Sequence, residues 1–144
     1  MEKTIYLGSD HAGFEYKERL IKYLSEKGYN CINMGTDSTE SVDYPLIAKP
    51  LCDAVIKSNG TGILVCGTGI GMSIAANRMK GIRATVCWNE ETAKLSREHN
   101  NSNVLCLGAR MLDFELVKSI TDIYLSTDFS GGKHERRLNQ IDNF

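Results

Sequence analysis

Three places in the sequence carry side chains suited to moving a proton or holding an anion. The first is Cys66, which closes the apolar run Ile63-Leu64-Val65 and is followed by Gly67-Thr68-Gly69-Ile70-Gly71. Three glycines in five residues let the backbone turn sharply and bring bare N–H groups against a ligand, at the start of the helix implied by Met72, Ala75, Ala76 and Met79. That loop has the makings of a cradle for an oxyanion or a phosphate. Cys66 stands on its rim, where the positive end of the following helix favours thiolate over thiol. The second place is Asp10-His11, directly after the apolar run that opens the chain. The third comprises His99 and, in the C-terminal tail, Lys133, His134 and Arg137. Lys133 and Arg137 are four apart, hence on one helical face, where they could clamp one phosphate. Each place also has a plainer reading. A cysteine ending a strand is commonly an inert buried hydrophobe, an aspartate there a helix cap, and a basic tail a solvated one.

The elements that must position these groups alternate along the chain. Strands are expected at Thr4 to Ser9, Asn30 to Met34, the run ending in Cys66, Arg83 to Cys87, and Val104 to Leu107. Between them lie helical patterns. Tyr16, Leu20 and Leu24 share one face of the first, which stops at Lys27-Gly28. The second opens at Asp43-Tyr44-Pro45 and carries Ile47, Leu51 and Val55, but Pro50 contradicts it locally and predicts a kink or a later start. Asn89-Glu90-Glu91 starts a fourth helix and Asp113 caps a fifth. Ser130-Gly131-Gly132 is then a joint before a helical tail. Five alternations predict a single α/β domain spanning 1–144, with a parallel sheet covered on both faces by helices.

In such sheets a ligand lies outside the carboxyl ends of the strands, where strand order reverses. For the order 2-1-3-4-5 this point falls between the first and third strands, which end in Asp10-His11 and Cys66-Gly67. Two polar turns therefore converge on one crevice. His99 follows the fourth helix and so belongs to the amino end of the sheet, about 15 Å from Cys66 if that helix has ten residues. It is either structural or completes a neighbour's site across a dimer.

Composition narrows the partners. The formal net charge is −1 over 144 residues, with no basic block, which disfavours a nucleic-acid surface and leaves anionic small molecules. No apolar run approaches the ~20 residues of a membrane helix, so a cytoplasmic location is expected. Five cysteines show neither metal spacing nor a secreted framework and should be reduced. His11, His99 and His134 lack the close spacing of a zinc site. A nucleotide-binding module is the main rival, but the dinucleotide fingerprint places its glycine turn after the first strand, and here it follows the third.

The segments S-D-H-A-G-F, V-D-Y-P, V-C-G-T-G-I-G-M-S-I-A-A-N, G-I-R-A, S-R-E-H-N-N-S-N-V-L and G-G-K-H-E-R-R, in this order along the chain, resemble ribose-5-phosphate isomerases of the type B class. These fall in the sugar-phosphate isomerase family that also holds galactose-6-phosphate isomerase. The resemblance implies a Rossmann-like three-layer α/β/α sandwich, metal-free and cofactor-free interconversion of ribose 5-phosphate and ribulose 5-phosphate, and sites shared across a homodimer, with pairing into tetramers left open. Cys66 matches the family's base and His99 its ring-opening acid, aided by Asp10, with Thr68 in the oxyanion cradle. Substrate-binding positions fall on Asp10, His11, Gly67, Thr68, Gly69, Ile70, Gly71, Asn100, Arg110, Lys133 and Arg137. Lys133 stands where the family usually has arginine, which keeps the charge and loses the two-pronged grip. A sister subgroup uses a glutamate at the position of Met72, so this chain resembles the cysteine-base subgroup. Allose 6-phosphate, galactose 6-phosphate or a tetrose phosphate remain alternative substrates.

Overall fold

The computed structural model describes residues 3–144. Its elements are β1 (Thr4–Ser9), α1 (Phe14–Glu26), β2 (Asn30–Asn33), α2 (Pro45–Ser58), β3 (Thr61–Cys66), α3 (Ile70–Asn77), β4 (Ala84–Val86), α4 (Glu90–Glu98), β5 (Val104–Gly108), α5 (Phe114–Ser126) and α6 (Lys133–Asp142). All strand pairings are parallel. Alternation along β3 divides its side chains between two apolar layers. Ile63 and Val65 pack with Leu20 and Leu24 of α1, Ala93 of α4, and Val117, Ile120 and Tyr124 of α5. Leu64 and Cys66 pack on the other face with Leu51 and Val55 of α2 and Met72 and Ala76 of α3. The expected three-layer α/β/α arrangement is therefore present, with α6 as the helical tail. Among the described residues no helix is long and apolar enough to cross a membrane.

The strand order corrects the expected 2-1-3-4-5: it is β2-β1-β3-β5-β4. All five residues of β5 are buried, whereas β4 is only three residues long and leaves Thr85 and Val86 half-buried. The continuous apolar strand takes the interior place and the short mixed one the edge. The crossover β3-α3-β4 steps over one position, and β4-α4-β5 steps back on the opposite face.

Of the two outcomes expected at Pro50, the later start does not occur. Helix α2 runs through Pro50 from Pro45, the first-turn proline, to Asn59, a left-handed cap with φ 50°. The hydrogen bond that Pro50 cannot donate would reach the carbonyl of Leu46. Both residues are exposed, so the Leu46 carbonyl is left open to solvent.

Candidate active site

The carboxyl end of β3 is built against β5. Cys66 pairs with Gly108, the Ala109 N–H donates to the Cys66 carbonyl at 2.8 Å, and the Arg110 N–H donates to that of Gly67 at 3.0 Å. Gly108 has no alternative, because a Cβ there would lie 2.7 Å from the Thr68 backbone. Gly69 then turns the chain into α3 at φ +82°, a conformation that disfavours any side chain. The turn aims the Gly69 N–H at the Cys66 sulfur, 3.1 Å away, while the Ile70 N–H donates to Thr68 Oγ1 at 3.2 Å. No N-cap side chain bonds the first turn of α3, so its next amides, those of Gly71 and Met72, have no cap partner at the positive end of the helix. The Cys66 side chain is 5% exposed, and its sulfur meets a main-chain donor rather than hydrocarbon alone. The other cysteines behave as core residues. Burial pushes Cys52 up to about 11 and raises Cys31, Cys87 and Cys106 as well.

Asp10 and His11 flank this end from β1. Ser9 pairs with Val65, and the Asp10 N–H donates to the Val65 carbonyl at 3.2 Å, so Asp10 lies beside the last turn of β3. Its Oδ1 accepts the Gly13 N–H at 3.1 Å. Asp10 thus caps the turn with one oxygen, and among the described residues no donor meets the other. His11 Nδ1 accepts the Val42 N–H at 3.2 Å, which leaves the ring hydrogen on Nε2. The connection carrying Val42 is anchored by Lys17, fully buried, whose Nζ donates to Asn33 Oδ1 at 2.8 Å and to the Thr36 carbonyl at 2.7 Å.

Two neighbours of the loop come from elsewhere. Arg110 Nη1 lies 3.2 Å from where Gly67 would carry a Cβ, which lays the guanidinium along the loop. The Tyr44 ring lies 2.8 Å from the corresponding point on Gly71. Sequence reasoning about chemistry missed Tyr44. The signal was in V-D-Y-P, where the tyrosine served only to mark a helix start.

The remaining site residues gather at the opposite end of the sheet. Asn89 and Thr92 form a capping box that starts α4, and the helix ends on His99. The following loop abuts the beginnings of β3 and β4: the Gly62 N–H donates to the Asn103 carbonyl at 2.9 Å, and the Asn103 N–H to that of Arg83 at 3.0 Å. Arg97 holds it from behind, through Asn101 Oδ1 at 3.0 Å and the Ser102 carbonyl. His99 stacks on His134 of α6, ring centres 4.3 Å apart and planes 13° apart. Desolvation, followed by the nearby charges of His99, Lys133 and Arg137, holds His134 below the usual imidazole range. His99 and Asn100 are exposed, as are Lys133 and Arg137.

The chain therefore carries two groups. Cys66, the Gly67–Gly71 loop, Asp10, His11 and Arg110 share one end, while His99, Asn100, Lys133 and Arg137 share the other. Five residue steps along β3 put roughly 16 Å between the ends. Among the described residues no three His, Cys, Asp or Glu side chains converge as metal ligands. One end offers a sulfur beside uncapped amides, suited to proton abstraction with charge stabilisation. The other offers an imidazole acid beside two cations.

Residues 5–141 match the family model described as Ribose/Galactose Isomerase. Ribose-5-phosphate isomerase B of Escherichia coli strain K12 is 45% identical over 140 residues, covering 96% of this chain and 94% of that one. The crystal structure of a ribose 5-phosphate isomerase from Thermotoga maritima superposes with a TM-score of 0.97 at 48% identity, over the whole of both chains. Ribose-5-phosphate isomerase B from Mycoplasma genitalium, solved with bound ribulose-5-phosphate, gives 0.96 at 38% identity, covering 99% of this chain and 96% of that one.

Proposed function

The chain belongs to the ribose/galactose isomerase family, and from that premise we propose that it interconverts ribose 5-phosphate and ribulose 5-phosphate in a homodimer whose sites each draw on both chains. The observation that carries the chemistry is the Gly69 N–H on the Cys66 sulfur, beside the uncapped start of α3 and the free oxygen of Asp10. The separation of the two residue groups along the sheet supports the shared site. A second copy would bring the amino-end group of one chain to the carboxyl-end group of the other. The family match, running through residues 5–141, supports one isomerase domain. Five free cysteines fit a reducing cytoplasm.

Isomerisation moves one proton between carbons 2 and 1 and shifts negative charge onto an oxygen. In this reading the Cys66 thiolate takes the proton from carbon 2, and the electron pair forms the carbon–carbon double bond of an enediolate. The developing oxyanion faces the amides of Gly67 to Gly71 with the Thr68 hydroxyl. The hydroxyl proton on oxygen 2 passes to oxygen 1 as Cys66 returns its proton to carbon 1, which leaves the carbonyl on carbon 2. Before that, the furanose ring must open, which needs a proton on the ring oxygen. The partner's His99 supplies it, with Asp10 receiving the hydroxyl proton. His11, Arg110, Asn100, Lys133 and Arg137 hold the substrate and its phosphate. No metal or organic cofactor enters this scheme.

Cys66→Ala tests it. Deuterium exchange at carbon 2, followed by NMR, should fall by at least about a thousand-fold, as befits loss of the proton-transferring group. Binding of inorganic phosphate should stay near wild type. A variant that still exchanges at the wild-type rate removes Cys66 from the mechanism. A kcat/KM panel of ribose, allose, galactose and tetrose phosphates then fixes the sugar.

A further inference from the structure

The amino-end group is made from two segments, joined just before α6 by the Ser130 N–H on the Glu98 carbonyl at 3.0 Å and by Arg97 Nε on the Thr127 carbonyl at 3.1 Å. His99 and Asn100 lie on the loop after α4, and Lys133 and Arg137 lie on α6. Between the loop and α6 come α5 and the pair Gly131 and Gly132, at φ +71° and +64°. Glycines in that conformation leave the direction of α6 to its contacts. Those contacts are few. Leu138 is the one buried residue of the helix, the His134 ring stacks on His99 at the N-terminal end, and a space of about 260 Å³ separates the helix from Arg83, Asn101 and Phe129.

One side chain spans that space. Arg83, just before β4, donates from Nε to the Asn101 carbonyl at 3.0 Å and from Nη1 to Asp142 Oδ1 and Oδ2 at 3.3 and 3.4 Å. Its own backbone is fixed on the same loop, with the N–H on Asn103 Oδ1 at 2.8 Å and the carbonyl accepting from Ser102 Oγ at 2.9 Å. The guanidinium side chain is 21% exposed. We propose that Arg83 is a positioning residue: its guanidinium, held on Asn101 and gripping Asp142, sets the distance between His99-Asn100 and the Lys133–Arg137 pair. Leu138 is the pivot. Asp142 lies about 6 Å beyond it along the helix and Lys133 about 7.5 Å before it. Movement of the Asp142 end therefore swings Lys133 by a comparable amount in the opposite sense. A planar guanidinium with separate N–H groups can serve both acceptors at once, and an ammonium cannot reproduce that fork.

This inference rests on the proposed isomerase reading, and its test separates the two. Asp142→Asn keeps the shape and removes the charge, whereas Asp142→Glu keeps the charge. The Asn variant should raise KM for ribose 5-phosphate and weaken inorganic phosphate by about two- to five-fold, the range for a partly exposed ion pair, with kcat within two-fold. The Glu variant should restore both. Arg83→Lys should raise KM likewise and also slow the ring form relative to an open-chain substrate, because the Asn101 carbonyl loses its donor. Wild-type KM and phosphate affinity in Asp142→Asn would overturn the inference, as would a lower melting temperature with unchanged kinetics. Failure of the wild-type protein to turn over ribose 5-phosphate would sink the isomerase reading alone. Calorimetric titration of inorganic phosphate into the same variants still decides the positioning role.

Discussion

If each site takes its base from one chain and its ring-opening acid from the other, two dead variants must revive each other. Along β3 the Cys66 end and the His99 end are roughly 16 Å apart. No rotamer of either side chain closes that distance. Consider Cys66→Ala and His99→Asn protomers, dissociated, mixed in equal amounts and reassociated. Random pairing makes half of the dimers mixed. In a mixed dimer one site receives both substitutions and the other receives neither, so one site in two is intact. The mixture should regain about a quarter of the wild-type specific activity, and isolated mixed dimers about half. Orthogonal affinity tags on the two protomers allow the mixed species to be purified before assay. Activity is read as appearance of ribulose 5-phosphate at saturating ribose 5-phosphate. Purified mixed dimers no more active than the sum of the two parents would refute the shared site, and with it the reading of His99, Lys133 and Arg137 as partners of another chain's Cys66.

Three further outcomes follow from particular contacts. Gly69→Ala forces a side chain into φ +82° and sets a Cβ 3.2 Å from the Leu107 carbonyl carbon and 3.3 Å from Val86 Cγ1. It should cost about 1–2 kcal/mol in a denaturant titration, and by displacing the donor on Cys66 it should lower kcat by about ten- to a hundred-fold; wild-type kcat would show that this amide does not act. Lys133→Arg supplies the missing fork and should lower KM for ribose 5-phosphate by about two- to five-fold, measured by steady-state kinetics, with an unchanged KM placing Lys133 outside the phosphate site. Stability should decline in alkali. Folding raises Cys52 from 9.0 to about 11 and lifts Cys87, Cys106 and Tyr124 too, so the folded chain keeps protons that the unfolded chain releases. The contribution is whole below about pH 9 and is lost toward pH 11, Cys52 alone accounting for roughly 1.4 kcal/mol by pH 10; a flat unfolding free energy from pH 8 to 10.5 would refute it.

The parts of this molecule that were legible in its sequence are those fixed by local rules. Three glycines after a buried strand announce a tight turn because few other residues fit, and Gly69 and Gly108 are indeed closed to side chains. Asp113 and Asn89 cap helices through bonds to amides three residues on. Pro50 did not delay the start of α2, because the effect of an interior proline depends on exposure and here the missing bond lies on an exposed face. The contacts of Tyr44 and Arg83 were invisible for another reason. Each meets a partner far away in sequence, Gly71 for one and Asp142 for the other. Neither spacing nor residue type encodes that pairing.

The misread strand order has a consequence for the chemistry. With β5 beside β3, the strand that ends in Cys66 is flanked by β1 and β5, and both of these send their following helices to the face opposite α3. The chain therefore diverges on both sides of Cys66, and a crevice opens toward Asp10 and His11 on one side and toward Gly108 to Arg110 on the other. In the order 2-1-3-4-5 the turn carrying Arg110 would stand two strand spacings from β3, roughly 10 Å. Its amide could not then reach the Gly67 carbonyl, nor its guanidinium lie along the glycine loop. What selects the working order is the burial of Val104, Leu105, Cys106 and Leu107, all fully inaccessible. An apolar strand that cannot afford an edge is what brings a cation to the thiol's end of the sheet. A charge introduced at Leu105 or Leu107 should accordingly disturb the position of Arg110 before it reaches Asp10 or His11 on the far side of β3, read as weaker binding of inorganic phosphate.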